Sequence, residues 1–241
     1  MSSPLLAVSG VSKHFLGLRA VDDVTLSVSK GEIVSIIGPN GAGKTTFFNL
    51  LSGQLAPTSG DVHLRGSQIN RLPPHARAQL GMGRTFQIAK PLIALSALEN
   101  VMIGAFMRHR ALATARDMAM AVLEKVGLVQ HARRRAGDLT LSERRRLEVA
   151  RALALEPEIV LLDEVMAGLN QSEVGQAIEL LQGLHATGLT FLIIEHNLKV
   201  VRAFSERVVV LDRGRMIADG TADQILSSPQ VIKAYLGEGH Q

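Results

Sequence analysis

Residues 38–45 have the residue types and the spacing of a loop that binds phosphate groups. They read Gly38-Pro39-Asn40-Gly41-Ala42-Gly43-Lys44-Thr45 and match the pattern G-x-x-x-x-G-K-[ST]. Glycines let consecutive backbone N–H groups converge on one anion, because no Cβ atom stands in the way. In this pattern the lysine contacts the β- and γ-phosphates of a nucleoside triphosphate, and the threonine hydroxyl binds Mg²⁺. The residues predicted to contact the nucleotide are Asn40, Gly41, Ala42, Gly43, Lys44, Thr45 and Thr46.

A second feature that could do chemistry is the acidic pair Asp163-Glu164, which directly follows the apolar run 159–162. A carboxylate at the end of a buried strand lies at the sheet edge where ligands of open α/β sheets bind. Asp163 would hold Mg²⁺, directly or through water, and Glu164 would polarise an attacking water molecule. The alternative is an acidic cap at the end of a strand. The phosphate loop upstream favours the catalytic interpretation.

The elements that must position these groups predict an α/β protein. An apolar strand over 32–37 leads into the loop, and a helix over 46–51 leaves it, which is the context that the motif requires. The near-continuous apolar runs 159–162 and 190–194 suit parallel strands that are covered on both faces. Shorter antiparallel strands are predicted over 5–8, 24–28, 61–64, 67–69, 208–211 and 216–218, and helices over 172–184 and 229–236.

Residues 90–156 differ in character from the rest of the chain. The segments 97–107 and 113–126 have helical periodicity, and an apolar stripe around Leu147 and Ala150 predicts a third helix. We therefore predict a helical subdomain over 90–156. The remainder, 1–89 and 157–241, is predicted to be a nucleotide-binding core with an antiparallel β subdomain.

Composition excludes several classes of protein. The chain has no cysteine, so neither a disulfide framework nor a thiolate metal site is available. Its net charge of +4 is too small to indicate a nucleic-acid partner, and the arginine runs 133–135 and 144–146 suit a solvated helix face, because no aromatic platform accompanies them. The N-terminus lacks the features of a signal peptide, and no apolar run approaches the roughly 18 residues of a membrane span. We expect any membrane role to come through a partner.

The order of these motifs resembles that of the ATP-binding subunits of ABC transporters, over essentially the whole chain. Gln87 lies where that family has its Q-loop glutamine, His196 where it has its switch histidine, and residues 167–170 where it has its D-loop. The resemblance implies a Mg²⁺-dependent ATPase in which Gln87 contacts both the phosphate and Mg²⁺, and His196 contacts the γ-phosphate. It also implies that Phe15 stacks on the adenine. Further contacts implied by the resemblance involve Val21 beside that ring and, in the D-loop, Gly168, Leu169 and Asn170.

The fold that the resemblance implies is a P-loop NTPase core with a mixed sheet, a flanking antiparallel β subdomain and an inserted helical subdomain. One part of the pattern differs: the family signature Leu-Ser-Gly-Gly-Gln aligns with Leu139-Thr140-Leu141-Ser142-Glu143. Thr140 and Ser142 keep hydroxyl groups, but both glycines are replaced, which narrows the backbone approach to a phosphate. Glu143 adds a negative charge, which is unhelpful if it points at ATP. Val165 also stands where the family usually has proline. We expect ATP hydrolysis at the site built on this signature to be slower than with the usual signature.

Within the family, residues 15–21, 163–170 and 231–237 look like the ATPase subunits of high-affinity branched-chain amino acid importers. Importers of urea or amides and the lipopolysaccharide-export ATPase look similar. The resemblance implies a head-to-tail dimer with two ATP molecules between the P-loop of one subunit and the signature of the other. The implied partners are a second ATPase subunit, identical or different, two transmembrane permeases and, indirectly, an external substrate-binding protein, at the cytoplasmic face of the inner membrane.

Two other hypotheses remain open at this point. The first is a non-transport ABC ATPase that acts on ribosomes or DNA, which usually has two cassettes in one chain or a long coiled coil. Neither feature is visible in this sequence. The second is a regulatory nucleotide-binding subunit with little turnover, which the altered signature would suit. The retained Glu164 and His196 argue against it.

Overall fold

A computed structural model of the chain describes residues 3–85 and 91–236. The chain divides into two compact units, of which the first combines Met1–Arg77 with Thr190–Gln241 and the second is Ala78–Leu189. The strands are β1 (Leu6–Phe15), β2 (Leu18–Val28), β3 (Ile33–Ile37), β4 (Ser59–Leu64), β5 (Ser67–Gln68), β6 (Met82–Arg84), β7 (Ile159–Asp163), β8 (Thr190–Ile194), β9 (Arg207–Asp212) and β10 (Arg215–Gly220). The helices are α1 (Lys44–Leu51), α2 (Pro74–Gln79), α3 (Ala97–Ala105), α4 (Leu112–Lys125), α5 (Leu141–Leu153), α6 (Gln171–His185), α7 (Leu198–Phe204), α8 (Ala222–Leu226) and α9 (Pro229–Leu236), with short 3₁₀ turns at Val129–His131 and Ala136–Asp138.

The first unit contains an antiparallel sheet in the order β2-β1-β4-β5. Leu6 at the start of β1 pairs with Val28 of β2 on one side and with Leu64 of β4 on the other. In β2, residues 24, 26 and 28 are buried and residues 25 and 27 are exposed, as expected for a strand with one covered face. The antiparallel strands predicted from the alternation are confirmed, and β1 and β2 extend well beyond their predicted bounds.

The first unit also contains the strand that leads into the phosphate loop. Strand β3 lies between β8 and β9 and is parallel to both: Ser35 pairs with Ile193 on one side and with Val208 on the other. All five residues of β3 are buried, which is typical of a central parallel strand with both faces covered. Strand β10 is antiparallel to β9, so this sheet is mixed. Helices α8 and α9 cover its apolar face, since Ile225 and Val231 belong to one buried cluster with Ile37.

The second unit is mostly helical and contains the parallel strands β6 and β7, in which Met82 pairs with Ile159 and Arg84 with Leu161. Helices α3 and α5 begin with reciprocal capping boxes, at Ser96 with Glu99 and at Thr140 with Glu143. The buried residues of α4 repeat at helical spacing, namely Ala115, Ala119, Val122 and Leu123. The apolar periodicity that predicted helices in this part of the chain is therefore confirmed.

The predicted α/β fold class with mixed and antiparallel sheets is confirmed. Sequence analysis missed β6 and the short helices α2, α7 and α8, because two turns of helix or three residues of strand leave too little periodicity to recognise. The boundaries predicted for a helical subdomain over 90–156 stay a prediction. No helix in the described part of the chain is long and apolar enough to cross a membrane.

Candidate nucleotide-binding site

The phosphate loop connects β3 to α1, and its backbone has a shape that glycine permits. Gly38, Gly41 and Gly43 have φ angles of 149°, 81° and 97°. A Cβ atom on Gly43 would lie 2.2 Å from the carbonyl oxygen of Ala20, and one on Gly38 would lie 2.0 Å from that of Leu211. Side chains at these two positions would therefore displace the loop. The close approach of neighbouring backbone atoms therefore explains why the pattern has glycine at positions 38 and 43.

The N-terminus of α1 is open to an anion. Its first turn holds no acidic residue. The N-cap residue is Gly43, and among the described residues no side chain makes a capping hydrogen bond to this helix start. Four other helices, α3, α5, α6 and α8, close this end with a capping box. An uncapped helix start presents N–H groups and a partial positive charge, which suits phosphate. Lys44 lies beside them: its Nζ donates to the carbonyl oxygens of Gly38 at 2.6 Å and Pro39 at 2.9 Å.

The first peptide of the loop has a partner that sequence analysis missed. The Gly38 N–H donates to the phenol oxygen of Tyr235 on α9 at 2.8 Å. Burial raises the pKa of the Tyr235 phenol, and the hydrogen bond from Gly38 partly opposes this rise. Nothing in the spacing of residues that are 197 positions apart indicates this contact.

The other end of α1 is held by a buried arginine that was also missed. The Arg77 side chain is only 1% exposed, and its Nη1 donates to the carbonyl oxygens of Leu50 and Leu51, each at 2.6 Å. Its Nε donates to Leu72 O at 3.0 Å. The last carbonyls of a helix lack partners within the helix, and a cation there also interacts favourably with the helix dipole. Burial lowers the pKa of Arg77 to about 10.

Three other predicted site residues lie in the first unit. Phe15 ends β1 with its ring 41% exposed, and Lys13 Nζ lies 5.2 Å from the ring centroid. The exposed ring is available for stacking. Val21, in contrast, is completely buried and is a core residue. His196 is exposed and is the second residue after β8. The proposed contacts of these residues with a nucleotide stay predictions.

The predicted acidic residues lie in the second unit, at the end of β7. Asp163 is the last residue of that strand and is buried, and its Oδ2 lies 3.3 Å from Nη2 of Arg84 on β6. Its backbone N–H donates to the Thr85 hydroxyl at 3.2 Å. Burial lowers the pKa of the Arg84 guanidinium, and the carboxylate of Asp163 opposes this. Glu164 follows with a φ angle of 49°, a backbone conformation that residues other than glycine rarely adopt. Such local strain is common at functional sites.

The signature segment begins α5 with a reciprocal capping box. Thr140 caps α5 by accepting the Glu143 N–H at 3.2 Å, and the Glu143 carboxylate accepts the Thr140 N–H at 2.8 Å. The carboxylate also lies 3.1 Å from His131 Nε2 and 3.5 Å from Arg134 Nη1. Glu143 is therefore folded back on its own helix end. Burial opposes its charge, but the Thr140 N–H and the charges on His131 and Arg134 outweigh this and lower the pKa of Glu143.

The structure brings the predicted D-loop against the signature segment. A Cβ atom on Gly168, whose φ is 81°, would lie 3.0 Å from a methyl carbon of the exposed Leu141. Arg145 on α5 donates to the carbonyl oxygen of Ala167 at 3.4 Å. Asn170 caps α6 and accepts the Glu173 N–H at 3.0 Å. The two predicted motifs are therefore neighbours within the second unit. Ser142 of the signature segment is buried.

Two of the predicted Mg²⁺ ligands, Thr45 and Asp163, lie among the described residues, one in each unit of the chain. Among residues 3–85 and 91–236, no group of three or more His, Asp or Glu side chains is arranged to hold a metal. Mg²⁺ usually keeps several water ligands and is bound through one or two carboxylates and substrate phosphates. The Asp163 carboxylate and the exposed Thr45 hydroxyl provide oxygen donors of that kind. Gln87, the other predicted ligand, lies outside the described residues.

The fold and the phosphate loop together define a nucleotide-binding cassette, and the comparisons identify its family. Residues 21–167 match the family model described as ABC transporter. The chain belongs to this family, whose ATP-binding subunits hydrolyse ATP. Residues 215–241 match a second model, described as branched-chain amino acid ATP-binding cassette transporter.

The relatives agree over the full length of the chain. It is 42% identical to the high-affinity branched-chain amino acid transport ATP-binding protein LivG of Salmonella typhimurium, covering 99% of this chain and 100% of LivG. It is also 42% identical to BraF, a protein of the same description from Pseudomonas aeruginosa, over 99% of this chain and 100% of BraF. A solved nucleotide-free ATP-binding cassette from an ABC transporter has a TM-score of 0.90 and 31% identity, covering 98% of this chain and 100% of that structure.

Proposed function

We propose that this chain is the Mg²⁺-dependent ATPase subunit of an importer of branched-chain amino acids. The end-to-end identity of 42% with subunits named for that transport carries the proposal. The matched C-terminal segment, residues 215–241, supports the same solute class. The 38% identity with the lipopolysaccharide export ATP-binding protein LptB of Escherichia coli is lower, and it makes export the second candidate.

The described side chains suit separate roles in ATP hydrolysis. The N–H groups at the start of α1 bind phosphate oxygens, and Lys44 turns from Gly38 O and Pro39 O towards the β- and γ-phosphates. Thr45 and Asp163 hold Mg²⁺, which when bound neutralises phosphate charge. Glu164 polarises the attacking water, and His196 stabilises charge that develops on the transferred phosphate.

The remaining nucleotide contacts follow the same family pattern. Gln87 binds the phosphate and Mg²⁺, and Phe15 stacks on the adenine, whereas the buried Val21 supports this part of the fold. Thr140, Leu141 and Ser142 of the signature and the D-loop residues 168–170 contact the ATP molecule of a second ATPase subunit, which is identical or different. Glu143 supports them through its capping box with Thr140. In this arrangement ATP joins the two subunits, and hydrolysis separates them.

The transmembrane permeases are proposed to dock at the C-terminal end of α3 and the residues that follow it. Ile103, Phe106 and Met107 are between 38% and 46% exposed, although they are large and apolar. Ile103 and Met107 line a cleft of about 230 Å³ that also contains Arg84, Arg151 and Glu148. An apolar surface beside charged groups is typical of protein interaction sites. We place the subunit at the cytoplasmic face of the inner membrane, held there by two permeases, with a substrate-binding protein on the other side.

Transport by the assembled complex tests the proposal. The ATPase subunits, permeases and binding protein are reconstituted in proteoliposomes, and ATP-driven uptake of labelled leucine is measured. We expect Glu164→Gln to abolish both uptake and ATP hydrolysis while ATP binding remains. Glu179→Gln, an exposed residue of α6, is the matched control and should leave both rates unchanged. Uptake that persists in Glu164→Gln contradicts the catalytic role. Hydrolysis without leucine, isoleucine or valine uptake contradicts the solute class.

A further inference from the structure

Gly38, the first residue of the phosphate loop, is held through both of its backbone polar groups. The Gly38 N–H donates to Tyr235 Oη at 2.8 Å, and the Gly38 carbonyl accepts from Lys44 Nζ at 2.6 Å. Gly38 is the residue directly after β3, whose last paired residue is Ile37. Because a buried backbone donor without an acceptor is costly, the phenol oxygen takes the place of the strand partner that the sheet no longer supplies.

The position of the phenol oxygen is set by the protein core. Tyr235 packs against a buried cluster that contains Ile37, Val210, Ile225 and Val231. These side chains join the end of β3 to β9, α8 and α9. The hydroxyl is therefore presented to Gly38 from a packed apolar surface. A phenylalanine at position 235 would fill the same space but would offer no acceptor.

The two contacts differ in what happens when a nucleotide binds. Lys44 Nζ donates to the carbonyl oxygens of Gly38 and Pro39 in this structure. A lysine that contacts the β- and γ-phosphates must give up at least part of this pairing. The contact with Tyr235 does not involve any group that binds phosphate, so it can persist in the loaded site.

We propose that Tyr235 is a positioning residue of the ATP site, which holds the backbone of Gly38 in place through its N–H when Lys44 turns to the nucleotide. Helix α9 thus contributes to ATP affinity through the backbone of the phosphate loop, without touching the nucleotide. The inference concerns the ATP site itself and does not depend on the solute that the complex transports.

Replacement of the acceptor with its packing retained is the first test. We expect Tyr235→Phe in the full-length chain to weaken ATP and ADP binding about five- to tenfold, the usual effect of losing one hydrogen bond. The KM for ATP should rise by a similar factor, with a smaller change in kcat. Ile232→Ala, at an exposed position on the same helix, is the matched control and should bind ATP as the unaltered chain does.

A second measurement separates positioning from a general loss of stability. Tyr235 is the single tyrosine of the sequence, so labelling with 3-fluorotyrosine gives one ¹⁹F resonance that reports this contact. We expect this resonance to respond to ATP, and to respond much less when Lys44→Ala removes the lysine. Unchanged affinity in Tyr235→Phe overturns the proposal. So does a loss of affinity that follows a lowered melting temperature and is matched by Ile232→Ala.

Discussion

Arg84 on β6 lies 3.3 Å from the carboxylate of Asp163 at the end of β7, and both side chains are buried. The predicted Mg²⁺ ligand therefore has a cationic partner built into the neighbouring parallel strand. Two charges removed from water are stable only when they are paired and hydrogen-bonded. Arg84 thus gives the Asp163 carboxylate a hydrogen-bonded partner at the end of β7.

Removal of Arg84 should lower the stability of the chain. The stability that remains should then increase when Mg²⁺ and nucleotide are added. Arg84→Met leaves the Asp163 carboxylate without this partner, and we expect unfolding in urea to require about 3 kcal/mol less free energy. Saturating MgATP should restore part of the loss, because it binds the folded state only. Arg116→Met, at an exposed position of α4, is the control. An unchanged free energy of unfolding of Arg84→Met in the absence of nucleotide would contradict this role.

The guanidinium of Arg77 should be irreplaceable by lysine. It makes hydrogen bonds to Leu50, Leu51, Leu72 and Asn70, all through their carbonyl oxygens. A lysine ammonium has three donors on one nitrogen and cannot reproduce this fork. We expect Arg77→Lys to lower the free energy of unfolding by about 2 kcal/mol and to weaken ATP binding, since α1 carries the phosphate site. The exposed Arg71→Lys should change neither quantity in the same urea and binding measurements.

Protonation of Glu143 at low pH should lower the stability of the chain, because it weakens the cap of helix α5. Because the folded-state pKa of this carboxyl is lowered, its contribution to stability is present above the ordinary value of 4.5 and is lost as the pH falls through the lowered value. Glu143→Gln keeps an acceptor for the Thr140 N–H but has no charge to titrate. We expect its stability to fall less steeply than that of the unaltered chain as the pH falls below about 4.5. Glu124→Gln, on the exposed face of α4, should keep the original slope in urea titrations at each pH.

The proposed permease surface predicts a loss of assembly without a loss of the ATP site. Phe106→Asp places a charge among exposed apolar residues, where a charged group is costly once a partner covers it. We expect at least a tenfold loss of permease co-purification, or about 1.4 kcal/mol in binding, while the isolated subunit binds ATP normally. Leu112→Asp tests the specificity of the surface, because this apolar side chain is even more exposed than Phe106 but lies on α4. Equal loss in both variants would contradict a docking site at the C-terminal end of α3.

Much of the architecture and of the reactive groups was predictable from local pattern. The spacing of Gly38, Gly43 and Lys44 specifies a loop between a strand and a helix, and the structure has that arrangement. Alternation and helical periodicity predicted most of the strands and helices, because the faces they bury recur every two or 3.6 residues. The predicted role of Gln87 remains outside the part of the chain that the structure describes.

Tertiary structure alone decided which side chains support the reactive groups. Arg84 and Asp163 are 79 positions apart, and Gly38 and Tyr235 are 197 positions apart. The orientation of Glu143, folded back onto its own helix end, also depended on His131 and Arg134. Sequence periodicity reports which face of an element is buried, but a hydrogen bond between distant elements depends on how strands pair and helices pack. Such contacts repeat at no fixed spacing, and a single sequence carries no record of them.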